Sequence, residues 1–221
     1  METFLIELWN VRYVLLGGLV RTIEVSSISI VIGSSLGLVV GVALTYGYRP
    51  IRWPCRFYVD VVRGTPVLVL VLASFYVLAV VGIRFSAVQA GIFALSIFCG
   101  AHMGEIVRGA LQAIPAGQTE AARSIGLTFA QILRLVLLPQ ALRQILPVWI
   151  NIGAELVKAS TLLSIIGVGE LLLRTQEIVG RNFMTMEFYL VAGVLYFSVN
   201  FCIERLGKHV EQRLASRGRA A

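Results

Sequence analysis

Charged side chains are scarce in this sequence of 221 residues. Asp, Glu, Lys and Arg make up 14% of the chain, whereas about a quarter of an ordinary soluble domain is charged. Hydrophobic residues make up 57%, and the mean hydropathy is +0.84. This composition excludes an ordinary soluble protein and predicts an all-α integral membrane protein. A single transmembrane domain over residues 1–221 has room for about five spanning helices, and no hydrophilic segment is long enough for a second, soluble domain.

Residues that commonly bind metals are also few. The cysteines lie in or next to apolar runs with unrelated spacing, which predicts small buried side chains, and the histidines are isolated. These residues are Cys55, Cys99, Cys202, His102 and His209. The sequence therefore predicts no metal site. The first residues include acids and no basic cluster, so we expect no cleaved signal peptide.

Motifs for catalysis are absent as well. The sequence has no Gly-x-x-x-x-Gly-Lys-Ser/Thr loop for nucleotide phosphates, so we do not expect this chain to hydrolyse ATP. It has no Ser/His/Asp set and no paired carboxylates that suggest an enzyme. The net charge of +7 comes from basic residues at the ends of apolar runs, which is the pattern of membrane topology rather than of nucleic-acid binding.

Apolar runs predict the spanning helices. Residues 1–24 mix apolar and charged positions, so we expect an interfacial helix there, with Trp9 and Tyr13 as boundary aromatics. Spanning helices are predicted at 25–46, 57–81, 87–111, 145–166 and 188–203. A loop at 112–142 and a basic tail at 204–221 complete the chain. In the first span, the small residues Gly33, Gly37 and Gly41 recur every four positions and predict close approach of another helix.

The distribution of basic residues predicts the orientation in the membrane. With five spans, twelve of the nineteen basic residues lie on one side: Arg49, Arg52, Arg56, Arg108, Arg123, Arg134, Arg143, Arg205, Lys208, Arg213, Arg217 and Arg219. Five lie on the other side: Arg12, Arg21, Arg84, Arg174 and Arg181. The basic side of a membrane protein is usually cytoplasmic. We therefore expect a periplasmic N-terminus, a cytoplasmic C-terminus and a cytoplasmic 112–142 loop.

The 112–142 loop contains a spaced motif between Gln118 and Pro139. Thr119 is a candidate helix cap, Gly126 a turn, and Pro139 the end of a second short helix. The order Glu-Ala-Ala, three residues, Gly, nine residues, Val, one residue, Leu-Pro resembles the EAA loop of ABC-importer permeases, with Val136 in place of Ile. The resemblance implies coupling to an ATPase by Glu120, Ala121, Ala122, Gly126, Leu138 and Pro139.

Charged residues also occur inside the apolar helices, where they are costly. Three acids each precede a base by three positions, so each pair shares a helix face: Asp60 and Arg63, Glu105 and Arg108, and Glu155 and Lys158. Each pair could neutralise itself near the membrane boundary or line a transport path. The third pair lies near the middle of its predicted span, with Asn151 on the same face, which favours a cavity or a partner over lipid.

Further segments resemble polar amino acid ABC permeases of the histidine/glutamine/arginine type. These are Arg63-Gly-Thr-Pro66, Gly100-Ala-His-Met-Gly-Glu-Ile-Val-Arg-Gly109 and Leu138-Pro-Gln-Ala-Leu-Arg143, followed by Leu146-Pro147, Asn151 and Lys158. His102, Gly104 and Ala159 depart from that pattern, where the family usually has Tyr, Ala and an acid or Asn. The resemblance implies a substrate pathway that includes Asn151, Glu155, Lys158, Arg63, Glu105 and His102.

The same resemblance implies the type I ABC importer permease fold and a set of partners. These are a second permease chain, identical or homologous, two ATPase subunits that bind ATP and Mg²⁺, and a periplasmic amino acid binding protein. This chain would itself need no cofactor. Alternatives from other classes are a stand-alone secondary transporter or channel for small polar solutes, and a membrane scaffold. A channel leaves the cytoplasmic loop without an evident use, and a scaffold leaves Glu155 and Lys158 unexplained.

Overall fold

The computed structural model describes the backbone of residues 2–218 and the side chains of residues 3–209. The helices are α1 (Glu2–Tyr46), α2 (Arg49–Arg63), α3 (Val67–Val80), α4 (Ala87–Gln112), α5 (Ala116–Ser124), α6 (Phe129–Ile166), α7 (Leu171–Asn182) and α8 (Thr185–Gly218). Three basic side chains predicted in the tail, those of Arg213, Arg217 and Arg219, lie outside this description. The all-α prediction is confirmed.

Four of these helices are long and apolar enough to cross a membrane: α1, α4, α6 and α8. A fifth span results if α2 and α3, which are broken at residues 64–66, count as one bent span. The structure thus agrees with the prediction of about five spans. The bounds of the third predicted span, 87–111, match α4 almost to the residue.

Helix α1 differs from the predicted division at residue 24. It continues without interruption from Glu2 to Tyr46 because this stretch contains no proline to remove a hydrogen bond from the ladder. Residues 1–24 are therefore the first half of a long helix and not a separate one. Their position at the membrane interface stays a prediction.

The predicted helix 57–81 is wrong as a continuous element. Helix α2 ends at Arg63, where the N–H of Gly64 donates to the Asp60 carbonyl at 3.0 Å. Pro66 then has extended backbone and stands at the N-terminal cap of α3. Because proline lacks an N–H and disfavours helical backbone in the residue before it, the chain cannot continue as one helix through Thr65.

Pro139 does not close a helix, contrary to the prediction. It lies within α6, which begins at Phe129 instead of residue 145. Residues Leu133–Leu137 form a π-helical turn, and the N–H of Leu138 donates to the carbonyl of Leu133, five residues back. A π-turn widens the helix by one residue just before the proline. The helix therefore accommodates the proline ring and continues toward the membrane span.

The chain divides into two compact units. One comprises residues 32–64, 97–152 and 204–221. Within it, the second half of α1 packs against α4 through glycines. A β-carbon at Gly41 would lie 2.5 Å from Val107 Cβ, and one at Gly37 would collide with Met103. The predicted close approach is confirmed at these two positions, and Gly33 is buried.

The other unit comprises residues 1–31, 65–96 and 153–203. Leu15 of α1, Leu171 and Ile178 of α7, and Phe188 of α8 form a buried cluster in this unit. Helices α1 and α7 approach so closely that a β-carbon at Gly18 would lie 2.9 Å from Leu171 Cα. Helix α7 thus fills the connection 167–187, which the sequence analysis left without an element, and ties it to α1 and α8.

Candidate functional site

The loop with the Glu-Ala-Ala motif turns at a glycine, as predicted, and this turn joins the short helix α5 to the start of the long helix α6. After α5, the N–H of Gly126 donates to the Arg123 carbonyl at 2.9 Å and that of Leu127 to the Ala122 carbonyl at 3.2 Å. This pair of bonds is a Schellman motif, which requires left-handed backbone at the glycine. Gly126 has φ +82° and meets that requirement without strain.

The start of α6 contains the side-chain cap of this loop. Thr128 accepts from the N–H of Gln131, and the Gln131 side chain accepts from the N–H of Thr128, which is a capping box. The predicted cap, Thr119, is wrong because α5 begins three residues earlier, after Pro115, and Thr119 lies inside the helix. The actual cap could have been found from the Thr-x-x-Gln spacing just after the glycine.

The loop is held by a contact with α1 and by a hydrogen bond between α5 and α6, and most of its predicted coupling residues are exposed. The Phe129 ring packs edge-on against Tyr46 at a centroid distance of 5.1 Å. Gln140 donates to the Gln118 side chain at 3.4 Å, which links α6 to α5. Of the predicted coupling residues, Ala122 is buried, Leu138 is half-buried, and the others are exposed: Glu120, Ala121, Gly126 and Pro139. The loop thus offers a braced surface with a free carboxylate and small side chains.

An ion-pair network joins α2 to α4 in the same unit. Arg108 holds Glu105 with two parallel hydrogen bonds, of 3.0 Å to Oε2 and 2.5 Å to Oε1. Arg56 lies 3.4 Å from the same carboxylate and 3.0 Å from Asp60. Of the two alternatives left open for Glu105 and Arg108, their mutual pairing is observed. A bidentate arginine fixes the orientation of this carboxylate.

Asp60 does not pair with Arg63, so mutual neutralisation, one of the two alternatives left open for these residues, is not observed. It pairs with Arg56, one turn earlier on the same helix. The spacing i, i+4 between Arg56 and Asp60 was visible in the sequence, but the link from Arg56 to Glu105 joins residues 49 positions apart and was not. Arg63 is exposed at the C-terminal end of α2.

The remaining predicted pathway residues are not joined in one network. Asn151, Glu155 and Lys158 are all exposed on α6, and Glu155 and Lys158 form no ion pair with each other. Mutual neutralisation of these two charges is therefore not observed. His102 is half-buried, with Nδ1 at 3.0 Å from the carbonyl of Phe98. Their role as substrate contacts stays a prediction.

A buried carboxylate that was not predicted from the sequence stands in the segment of the chain that connects α6 to α8. Glu170 is 0% exposed and caps α7 by accepting from the N–H groups of Leu172 and Leu173 at 2.9 and 2.8 Å. The Tyr196 hydroxyl of α8 donates to it at 2.6 Å. Burial raises the pKa of the Glu170 carboxyl, against these hydrogen bonds, which lower it. Its position just before an apolar helix was a possible signal.

Known proteins resemble this chain over nearly its whole length. YckA of Bacillus subtilis (strain 168), a probable amino-acid ABC transporter permease, is 35% identical, covering 82% of this chain and 80% of its own. The arginine transport system permease ArtQ of the same strain is 32% identical, with 91% and 93% covered. The glutamine transport system permease GlnP of Escherichia coli (strain K12) is 30% identical, with 94% and 95% covered.

Solved structures agree with these relatives. The crystal structure of an amino acid ABC transporter with histidines has a chain that superposes with a TM-score of 0.85 at 33% identity, covering 93% of this chain and 97% of that one. The MetNI methionine ABC transporter in an inward-facing conformation superposes with a TM-score of 0.80 at 24% identity, which is a likeness of fold alone. The model of the family described as binding-protein-dependent transport system inner membrane component matches residues 33–216. The chain therefore belongs to that family, and it has the type I fold of ABC importer permeases.

Proposed function

We propose that this chain is the transmembrane subunit of an ATP-driven importer for a polar or charged L-amino acid. The relatives are named for transport of arginine, glutamine, cystine and octopine, all of them polar compounds with amino acid character. The subunit itself transports and does not hydrolyse ATP. Two partner ATPase subunits bind ATP and Mg²⁺, a second permease chain completes the pathway, and a periplasmic binding protein delivers the substrate.

The observation that carries this proposal is the braced loop between α4 and α6. Its outer surface, with Glu120 and Ala121, is available to a partner, and its inner surface is attached to α1 by Phe129 and Tyr46. Because α6 begins in the loop and continues into a spanning segment, we expect a force applied to the loop to act on that segment. Alternating access would follow, with closure of the ATPase subunits opening the pathway toward the periplasm.

The orientation supports the same proposal. The excess of basic residues in and near this loop, among them Arg108, Arg123 and Arg134, supports a cytoplasmic location, where ATP is available. The N-terminus is then periplasmic and the C-terminus cytoplasmic. The cytoplasmic side is the one on which an ATPase partner has to bind.

Gly126→Leu tests the coupling role of the loop. No atom other than its neighbours lies within 4 Å of a β-carbon built at Gly126, so a larger side chain has space. The φ of +82° is still unfavourable for Leu, at about 1–2 kcal/mol. We expect normal membrane insertion and loss of most ATP-driven uptake, because α5 and the start of α6 are displaced relative to each other.

Gly126→Asn is the matched control, since Asn tolerates left-handed backbone far better than Leu. It should retain a large part of the uptake and of the substrate-stimulated ATPase activity. Equal activity of the Leu variant and the parent protein would refute the coupling role. Equal loss in both variants would also refute it, because the loss would then not depend on the turn geometry.

A carboxylate and an ammonium group are the groups that recognise the two charges of an amino acid. Glu155 and Lys158 provide a carboxylate and an ammonium group on one face of α6, and the two side chains do not pair with each other. We therefore assign them, with Asn151, to the substrate pathway, and we assign Glu105, His102 and Arg63 to the same pathway from α4 and α2. Which amino acid is bound depends on side chains near these charges, among them Ala159 in place of the family's usual acid or Asn.

A further inference from the structure

The unit that contains α2 and α4 has an arginine-rich cleft beside the ion-pair network of Glu105. The cleft has a volume of about 600 Å³ and is lined by Leu44, Arg49, Arg52, Trp53, Arg56, Arg108 and Gln112. Four of these seven side chains are guanidinium groups. Among the described side chains, two carboxylates, those of Glu105 and Asp60, pair with them. The cleft therefore has an excess of positive charge.

Two of the four arginines are not neutralised. Arg56 and Arg108 are bound to the carboxylates, whereas Arg49 and Arg52 are exposed and have no ion-pair partner among the described side chains. Arg52 donates only to the backbone carbonyl of Thr45, at 3.2 Å. Both side chains are thus available to a ligand that carries negative charge.

The position of these arginines on α2 is electrostatically unfavourable without such a ligand. Arg49 and Arg52 lie in the first turn of α2, and that turn contains no acidic residue. The N-terminus of a helix has a partial positive charge, so cations there destabilise the helix. A bound anion reverses this effect because it interacts favourably with the helix end and with both guanidinium groups.

The cleft lies at the ends of two spanning helices. Leu44 stands near the end of the spanning helix α1, and Gln112 is the last residue of the spanning helix α4. The neighbouring face of α2 is apolar and open: Trp53 is 74% exposed and Phe57 is 61% exposed, and their rings stack at 6.1 Å. A ligand that fits both features has an anionic head and an apolar tail.

We infer that this cleft binds an anionic phospholipid of the cytoplasmic leaflet, with the phosphate held by Arg49 and Arg52 and an acyl chain against Trp53 and Phe57. Basic pockets between spanning helices on the cytoplasmic side are known places for such headgroups. This site is separate from the substrate charges on α6, and its occupation does not depend on which amino acid the protein transports.

Binding can be measured through Trp53, which lines the cleft. The full-length chain in its assembled, detergent-solubilised transporter carries Trp9→Phe and Trp149→Phe, so that Trp53 is its remaining tryptophan. It is titrated with dioctanoyl phosphatidylglycerol, dioctanoyl phosphatidylcholine and inorganic phosphate. We expect a saturable change of Trp53 fluorescence with phosphatidylglycerol, at a concentration at least tenfold lower than with either of the other two probes.

Three variants identify the residues responsible. Arg49→Gln with Arg52→Gln should weaken phosphatidylglycerol binding by tenfold or more, whereas Arg49→Lys with Arg52→Lys keeps the charge and should retain most of it. The control, Arg143→Gln with Lys208→Gln, removes the same charge from exposed positions outside the cleft and should leave binding unchanged. Elution as an intact complex is checked for each variant.

Four outcomes would overturn the proposal. Equal binding of phosphatidylcholine would show a merely apolar site, and equal binding of phosphate would show a site for free anions. Equal weakening by the control variant would show a general charge effect. Loss of the ATPase subunits from the Gln variant, with phosphatidylglycerol binding unchanged, would assign the arginines to a protein interface.

Discussion

Glu170 is the residue whose replacement should affect folding most clearly, and Glu170→Ala is the change to make. Its carboxylate accepts three hydrogen bonds, from two N–H groups at the start of α7 and from Tyr196. It connects α7 to α8, and the N–H of Leu171 beside it donates to Thr22 of α1 at 3.2 Å. Removal of the carboxylate leaves two helix N–H groups and a tyrosine hydroxyl without an acceptor.

The magnitude follows from these contacts. Loss of a helix cap costs about 0.5–2 kcal/mol, and a hydrogen bond to a charged group contributes about 1.5–3 kcal/mol. These terms overlap and are partly offset, because the removed carboxylate no longer has to be desolvated. We expect a loss of about 3 kcal/mol for Glu170→Ala and of about 1 kcal/mol for Tyr196→Phe, which removes one of the three bonds. In a chain of this length, about 3 kcal/mol lowers the Tm by roughly 6–12 °C.

Heating the detergent-solubilised protein, followed by size-exclusion chromatography of the soluble fraction, measures this shift. The matched control is Glu187→Ala, which removes an exposed glutamate from the first turn of α8 and should cost less than about 1 kcal/mol. If Glu170→Ala lowers the Tm no more than Glu187→Ala does, the assignment of Glu170 as the connector of α7 and α8 is refuted.

The pH dependence gives a second test of the same network. Because burial raises the pKa of Glu170 above its ordinary value of 4.5, the folded protein binds this proton more tightly than the unfolded chain does. The stabilisation from the proton is fully present below about 4.5 and is lost as the pH rises through the raised pKa. Glu170→Gln cannot titrate, so the Tm of the parent relative to this variant should fall as the pH rises through that window. A constant difference between the two would contradict the raised pKa.

Three further predictions concern transport, topology and packing. Glu155→Gln should insert normally but lose most uptake, with a larger loss for a cationic substrate than for a neutral one; uptake of every tested amino acid at the parental rate would exclude Glu155 from the pathway. In a chain without its native cysteines, a cysteine at Gln176 should react with an impermeant thiol reagent in intact cells and one at Gln118 only after permeabilisation, and the reverse pattern would contradict the orientation. Gly41→Leu should abolish stable folding because Val107 occupies the space, whereas Gly17→Leu, which meets nothing within 4 Å, should fold; similar expression and stability of the two would show that the glycine contact is dispensable.

Local patterns in the sequence determined the class, the span count and the loop. A run of apolar residues long enough to cross a bilayer has few alternatives to a helix, because its backbone must bond to itself. The turn at Gly126 and the pair of Glu105 with Arg108 were also predictable, since both depend on residues within a few positions of each other. Resemblance to known permeases assigned the family from motifs spaced over residues 58–170.

The positions of breaks and partners depended on the tertiary structure or on backbone adjustments that have no clear sequence signal. Pro66 stands at a break between two helices, whereas Pro139 follows a π-turn and lies within a helix, although both are prolines near apolar runs. Asp60 has two bases within helical reach, Arg56 and Arg63. It pairs with Arg56, which also contacts Glu105 of a different helix. Glu170 and Tyr196 are 26 residues apart, and only the packing of α7 against α8 brings them together. The patterns of charge and hydropathy are properties of the sequence and can be read from it. The choice among possible partners of a side chain depends on distances that are set by the packing of the helices.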